Sequence, residues 1–325
     1  MDQQNRKPST AQTARPDAGD VLGTYLRAQA TAFLRAMRLH AENAGSGAAD
    51  AAEGGEAARS LRGAARRISG SLATFRVVTE SSWADALRTE LVWLSSTLAH
   101  EHAYAARLSR LMDALHRLSG SPELPAPRGS AGALTVGSAR AGALLERQLT
   151  LARTRAHSAT LQALGSSRFH AVADAVAVLA SEVPLDAVAA RGRVSEVLAP
   201  LAAVAETRLS AAVAALPPVD GAHPYNAAHD GLWHEVRRLL RVHRYAREAM
   251  GEDVTRPVAA GEALDRHRDA AEAANASATA ARTPRIAPAT AYALGVLHAD
   301  QRHEVEAARL EFQHLWLPEP AVTPR

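Results

Sequence analysis

The sequence of 325 residues contains no cysteine, a single lysine (Lys7) and only 4% aromatic residues. Without cysteine the chain can form no disulfide, no thiolate metal site and no cysteine nucleophile. Strand-like runs rich in Val, Ile, Thr and Tyr are nearly absent, and the one short candidate is the segment from Phe75 to Thr79. No uninterrupted apolar stretch approaches the length of about 18 residues that indicates a transmembrane helix. The sequence therefore argues against disulfide-stabilised, β-rich and membrane-spanning proteins.

Alanine and leucine dominate the hydrophobic residues, which make up 47% of the chain. Both are strong helix formers, and small or γ-branched side chains favour packed helices over sheets. Leu22, Leu26, Ala30 and Phe33 recur at helical spacing near the N-terminus. Similar patterns predict helices over residues 21–43, 55–79, 81–118, 138–164, 166–182, 193–216, 225–251, 258–280 and 288–316. We therefore expect an all-α fold.

Three further segments interrupt this pattern. Residues 1–17 and 318–325 are expected to be disordered tails. Residues 120–137 contain three prolines and four glycines, which predicts a long linker. The N-terminal tail has no apolar segment of the signal-peptide kind, so we expect a cytoplasmic protein.

The two halves of the chain share a pattern of cationic residues. Aligning Arg59 with His234 places Arg62 on Arg237 and Arg66 on Arg241. In each half the pattern lies on the second predicted helix. This register predicts an internal duplication that forms two pseudo-symmetric four-helix bundles, one at residues 18–183 and one at residues 190–317.

The placement of the arginines carries more information than their number. The net charge is only +3, and codon bias in a GC-rich genome would also explain the excess of arginine over lysine. However, Arg59, Arg62 and Arg66 follow i, i+3, i+7 spacing and so share one helix face, and no acidic residue lies between Arg59 and Arg76. Like charges at this spacing repel each other, so the row predicts an anion that faces it. Two alternatives remain: the row pairs with acids of a neighbouring helix, or it is only solvated.

No other pattern points to a chemical reaction. The fourteen histidines show no metal-binding spacing; His100 and His102, for example, do not point together on a helix. A phosphate-binding glycine loop and a nucleophile elbow are both absent. Aromatic residues are not interleaved with the arginine rows, and no helix-turn-helix is visible, which argues against nucleic-acid binding. We therefore predict no catalytic residue, no metal and no cofactor, and a protein that is not an enzyme.

The order of these patterns resembles the CHAD family, the conserved histidine α-helical domain. Residues 234–245 read His-Glu-Val-Arg-Arg-Leu-Leu-Arg-Val-His-Arg-Tyr and resemble the second copy of the family's repeated motif. Residues 59–67 with Phe75 and Arg76 resemble the first copy. The segments 87–94, 167–169 and 263–269 also fit. The sequence departs from the family at four places, which are Arg59 in place of the first histidine, Ser69, His102-Ala103 and Val242.

The resemblance implies a basic cavity or groove between two helical bundles that holds inorganic polyphosphate without catalysis. It also implies an association of this cytoplasmic protein with polyphosphate granules. The residues that it assigns to polyphosphate are Arg59, Arg62, Arg66, Arg67, Arg76, His234, Arg237, Arg238, Arg241 and Arg244. We expect His234 to titrate near about 6.5 when the site is empty, and higher beside an anion. The alternative is a helical protein-interaction scaffold with structural arginines; nucleic-acid binding is less favoured, and no membrane partner is expected.

Overall fold

The computed structural model describes residues 16–43, 51–120, 131–217 and 227–317. In these ranges the chain forms nine α-helices. They are α1 (Ala18–Asn43), α2 (Ala51–Thr74), α3 (Ser81–Gly120), α4 (Ala131–Leu164), α5 (Ser167–Ser181), α6 (Val194–Ala214), α7 (Asp230–Ala249), α8 (Thr255–Ala281) and α9 (Pro288–Trp316). The predicted all-α fold is confirmed.

Local sequence signals explain several helix ends. The Ser166 side chain accepts a hydrogen bond of 3.2 Å from the backbone N–H of Phe169 and so caps α5. Pro288 occupies the start of α9, where its missing N–H costs no helical hydrogen bond. The strand candidate forms no strand: Arg76–Val78 make a 3-10 turn, and Thr79 forms only an isolated bridge with Leu185. The apolar residues Phe75 and Val78 of this segment are both buried in the core.

The predicted linker at residues 120–137 is too long at its C-terminal end. Helix α4 begins at Ala131, and its Gly137 lies so close to α9 that an added Cβ would stand 2.3 Å from the carbonyl oxygen of Ala289. A glycine that suggests a loop in the sequence is therefore a helix-contact position in the fold. Residues 121–130 and most of both predicted tails lie outside the described part of the chain.

A first hydrophobic cluster joins α1, α2, the N-terminal half of α3 and α5. Phe33, Leu72, Leu91 and Val176 are fully or almost fully buried in it. The same cluster takes Leu198 from α6 and further residues from the end of α7. The two halves of the chain therefore share core surface.

Three further clusters are present among the described residues, and the smallest contains Ala270, Ala271 and Val305. The second joins the C-terminal half of α3 with α4, α8 and α9 around Leu111, Leu145 and Leu294. The third joins the other parts of α6 to α9 around Trp233 and Phe312. The boundary between residues 183 and 190 and the internal duplication stay predictions. The packing of α2 on α7 and of α4 on α9 is the pairing of counterparts that a duplication would give.

Helix α6 is the most apolar described element. By length and composition alone it would qualify for crossing a membrane, with a mean hydropathy of 1.4 over 18 residues. Of that window, 22% is buried inside the structure. Leu198 and Leu209 of α6 are fully buried in the hydrophobic clusters of this chain.

The contact between α2 and α7 brings the two predicted arginine rows together. Gly70 of α2 lies against the ring of Tyr245 of α7, and a Cβ at this position would stand 2.7 Å from the ring atom Cδ2. Glycine therefore permits the close approach of the two helices. One turn earlier on each helix are Arg66 and Arg241.

Candidate anion-binding site

Arg62 and Arg66 of α2 meet Arg237 and Arg241 of α7 where the two helices pack together. All four side chains are half-buried. Burial and, to a smaller extent, the nearby charges of Arg66, Arg268 and Arg237 together lower the pKa of Arg62 to about 10. Burial and the charge of Arg237 lower the pKa of Arg241 to about 9. Positive charges from distant parts of the chain are therefore held close together and partly out of water.

Protein carboxylates compensate this cluster only in part. Within the described residues, Arg62, Arg66 and Arg241 form no ion pair, whereas Arg237 pairs with Asp265 of α8. The buried Nε groups of Arg62 and Arg66 have no hydrogen-bond partner in the described part of the chain. Buried donors and charges of this kind are costly unless a partner satisfies them. The cluster is thus suited to an anion that brings several acceptor oxygens.

A cavity of about 450 Å³ opens beside Arg62 and extends the cluster towards α3 and α8. Its cationic lining includes Arg107 and Arg110 of α3 and Arg268 of α8. The sequence prediction missed these three residues. The i, i+3 spacing of Arg107 and Arg110 could have revealed them, but Arg268 is followed directly by Asp269 and looks neutralised in the sequence.

His234 lies next to the cluster on α7. Its ring packs against that of the fully buried His267, with 5.5 Å between the ring centroids. Burial lowers the pKa of His234 below its usual value, and the charges of Arg237 and Arg268 act in the same direction. The expected value near about 6.5 is therefore wrong for the free protein, because the sequence did not show that the ring is half-buried beside arginines.

Arg59 lies at the exposed end of the α2 row. Its charge, after burial, is the largest cause that lowers the pKa of His102, so the two side chains lie near each other beside the cavity. The first half of the chain thus places an arginine and a histidine at this end of the row.

The other four predicted arginines have carboxylate partners. Arg67 and Arg244 both contact Glu248, at 2.8 and 3.1 Å. Glu248 also accepts a hydrogen bond from the Tyr25 hydroxyl, so it ties α1, α2 and α7 together. Arg76 binds Asp85 at 2.7 Å, and Arg238 binds Glu235 at 2.8 Å. Their role as ligands stays a prediction, and the structure gives each of them a second, structural contact.

A buried network of ion pairs holds in place the helices that carry the site. Asp230, the first residue of α7, accepts hydrogen bonds from Arg302 at 2.7 Å and from Arg309 at 2.5 Å. Both arginines belong to α9 and are almost fully buried. Asp230 also lies 3.8 Å from the His267 ring. The network fixes the start of α7, and with it His234 and Arg237, against α8 and α9.

No group of three or more His, Asp or Glu side chains in the described ranges is placed to hold a metal ion. The guanidinium groups of this region can donate charged hydrogen bonds to an anion. Arginine is suited to this because its planar guanidinium can donate two parallel hydrogen bonds to one oxyanion group.

Comparison with known proteins identifies the fold. Residues 28–281 match the family model described as CHAD domain. The chain belongs to the CHAD family. This CHAD protein shares 58% sequence identity with the solved structure of PptA from Streptomyces chartreusis, over 93% of this chain and 100% of that chain, with a TM-score of 0.79. The crystal structure of the CHAD domain from the plant Ricinus communis shares the fold at 20% identity, with a TM-score of 0.57 and coverage of 95% of this chain and 97% of that chain. No curated protein matches the sequence.

Proposed function

We propose that this CHAD protein binds inorganic polyphosphate in the cytoplasm, without catalysis, through the cluster formed by Arg62, Arg66, Arg237, Arg241 and Arg268. Family membership supports this proposal, because the motifs at residues 59–67 and 234–245 are those whose resemblance implies polyphosphate. The observation that carries it is the meeting of Arg62, Arg66 and Arg241 at one place, where no carboxylate of the described chain forms an ion pair with any of them.

The physics of the cluster suits a linear polyanion. Each guanidinium can donate charge-assisted hydrogen bonds to phosphoryl oxygens, and a chain with repeated charges can satisfy several guanidinium groups at once. Binding would also release counterions from the polyanion, which makes the affinity dependent on salt. A bound anion would offset the mutual repulsion that lowers the pKa values of Arg62 and Arg241.

The scaffold alternative predicts a different arrangement. If the arginines were only structural, Arg62 and Arg237 would pair with acids on different faces of the fold. Instead, the charge of Arg237 acts directly on Arg62 across the α2–α7 contact. The scaffold interpretation describes Arg67 and Arg244 better, because both bind Glu248.

A binding comparison tests the proposal. Affinities for long-chain polyphosphate, tripolyphosphate and duplex DNA would be measured at one fixed salt concentration by calorimetry or fluorescence anisotropy. We expect long-chain polyphosphate to bind most tightly. Arg62→Met with Arg241→Met should weaken this binding by at least about 100-fold, because two charge-assisted contacts are lost.

The control is Arg168→Met, alone and doubled with Arg153→Met, which removes equal charge away from the cluster. Arg168 binds Glu90 and lies over the Trp93 ring, and Arg153 is exposed on α4. These controls should bind polyphosphate within a few-fold of the wild type. Tighter binding of DNA than of polyphosphate, or an equal loss in the control, would contradict the proposal.

A further inference from the structure

Helix α8 carries a row of carboxylates directly on the arginine cluster. Asp265, Asp269 and Glu272 follow i, i+4, i+7 spacing, so the three side chains share one face of the helix. The row extends about 10 Å along the helix axis, at a rise of about 1.5 Å per residue.

Each carboxylate of this row contacts an arginine at the site. Asp265 binds Arg237, Asp269 binds Arg268 with 2.9 Å between its Oδ1 and the guanidinium Nε, and Glu272 binds Arg107. Asp269 and Glu272 line the cavity beside Arg62. The three arginines that an anion would find beside Arg62, Arg66 and Arg241 are therefore already occupied by the protein itself.

The influence of Asp265 extends beyond its own ion pair. Its negative charge acts on Arg62, on Arg241 and on Arg268, and in each case it raises the pKa of the guanidinium. Asp265 therefore lies within electrostatic reach of Arg62, Arg241 and Arg268 as well as Arg237. A phosphate chain that contacts these arginines would be repelled by this carboxylate.

We infer that Asp265, Asp269 and Glu272 act as internal competitors of the ligand: they pair with Arg237, Arg268 and Arg107 in the empty protein and so limit the affinity for polyphosphate. This inference rests on the proposed function. A bound chain would replace the carboxylates at Arg237, Arg268 and Arg107 and would take over their hydrogen bonds. Because the row is extended, a long chain meets all three competitors, whereas a short anion meets fewer.

The inference predicts that neutral variants of α8 bind more tightly than the wild type. Asp265→Asn and Glu272→Gln keep side-chain size and remove one negative charge each. We expect each variant to bind long-chain polyphosphate roughly three- to tenfold more tightly, the range expected from the loss of a partly exposed competing ion pair. The triple variant with Asp269→Asn should gain more affinity for the long chain than for tripolyphosphate.

The salt dependence separates this role from a structural one. Because the bound chain also displaces the carboxylates from the wild type, both complexes make the same arginine–phosphate contacts, so the affinity should rise while the slope of log affinity against log salt stays the same. A variant that misplaces its arginine would instead lose a contact and give a shallower slope. The control is Glu90→Gln, which removes the same charge at an ion pair with Arg168 outside the cluster. It should change neither the affinity nor the slope.

The outcomes are distinguishable. If the wild type does not bind long-chain polyphosphate, both the proposed function and this inference are overturned. If the wild type binds and Asp265→Asn and Glu272→Gln bind with unchanged or weaker affinity, only the inference is overturned. Weaker binding would show that these carboxylates hold their arginines in position for the ligand.

Discussion

Arginine has opposite roles at different places in this protein, and the local supply of carboxylate decides which one it takes. Arg302 and Arg309 are almost fully buried, and both bind Asp230. Arg62 and Arg241 are half-buried and form no ion pair in the described chain. A buried charge without its partner is strongly destabilising. A partly exposed charge can remain unpaired in the ligand-free protein at a smaller cost in free energy.

Asp230 provides the clearest stability test at this scale. Asp230→Asn leaves two buried guanidinium groups without their shared carboxylate, and we expect a loss of about 3–5 kcal/mol in the free energy of unfolding. Urea denaturation followed by circular dichroism would measure it. Asp85→Asn is the matched control, because Asp85 pairs with Arg76 at the exposed surface and should change stability much less. Equal losses in the two variants would contradict the structural role of the network.

His234 makes a prediction about pH. In the free protein its pKa is lowered, first by burial and then by Arg237 and Arg268, while Asp230 and Glu272 act in the opposite direction. The ring of His267 also faces it from α8. An arriving polyanion raises the pKa of His234, so binding takes up a proton. Affinity should therefore rise as the pH falls, and should continue to rise below about 6.5 because the free pKa is lowered.

The test is the affinity for long-chain polyphosphate between about pH 8 and pH 5, compared with His234→Ala. The variant should lose part of the pH dependence. His102→Ala is the necessary second variant, because the pKa of His102 is also lowered by burial and by Arg59 and Arg62. A wild-type affinity that is flat with pH, or a slope that survives in His234→Ala, would refute the assigned role of His234.

At the scale of the helices, the site depends on how closely α2 and α7 approach each other. Glycine at position 70 permits this contact, because any Cβ would overlap the Tyr245 ring. The contact holds Arg66 within electrostatic reach of Arg241. Glu248 of α7 joins the same pair of helices through Arg67 of α2, and it also binds Arg244 of its own helix. The spacing of the cluster is thus set by side chains that do not belong to it.

Two glycines of α2 allow a matched test of this contact. Gly70→Ala should lower stability and polyphosphate affinity, because the 2.7 Å contact forces the helices apart. Gly63→Ala should be neutral or stabilising by up to about 1 kcal/mol, since alanine favours helix and its Cβ would meet only the flexible end of Arg67 at 3.5 Å. Thermal unfolding and binding assays would compare both variants. A Gly70→Ala protein that is as stable as Gly63→Ala would contradict the described packing.

At the scale of the whole molecule, a net charge of only +3 conceals a strongly uneven charge distribution. Elements separated by about 200 residues in the chain, α2 and α8, contribute to one basic region beside the cavity. The weak overall charge means that long-range attraction to polyanions in general is modest, and local contacts dominate recognition.

This distribution predicts the salt dependence of binding. The logarithm of the affinity for polyphosphate should fall linearly with the logarithm of salt concentration, with a slope that reflects several contacts. Arg62→Met with Arg66→Met should make the slope shallower by about 1.4, or about 0.7 for each lost contact. Titrations at four or more salt concentrations would measure it. An unchanged slope would show that α2 is not part of the binding surface.

The sequence by itself determined the helical class and the faces on which the arginines lie. Helix formation depends on neighbours within a few residues, and the spacing of Arg62 and Arg66 places them on one face wherever the helix packs. For the same reason the starts of α5 and α9 were predicted within one residue.

Only the tertiary structure decided which arginines have acidic partners. Arg67 and Glu248 are 181 residues apart, and Arg237 and Asp265 are 28 residues apart, so no local pattern connects them. The sequence therefore assigned Arg62 and Arg67 to one set, although one lines the cavity and the other binds Glu248. The sequence prediction also missed Arg268, because the adjacent Asp269 makes this arginine look neutralised. Charge compensation depends on distance in space, and helix packing sets that distance.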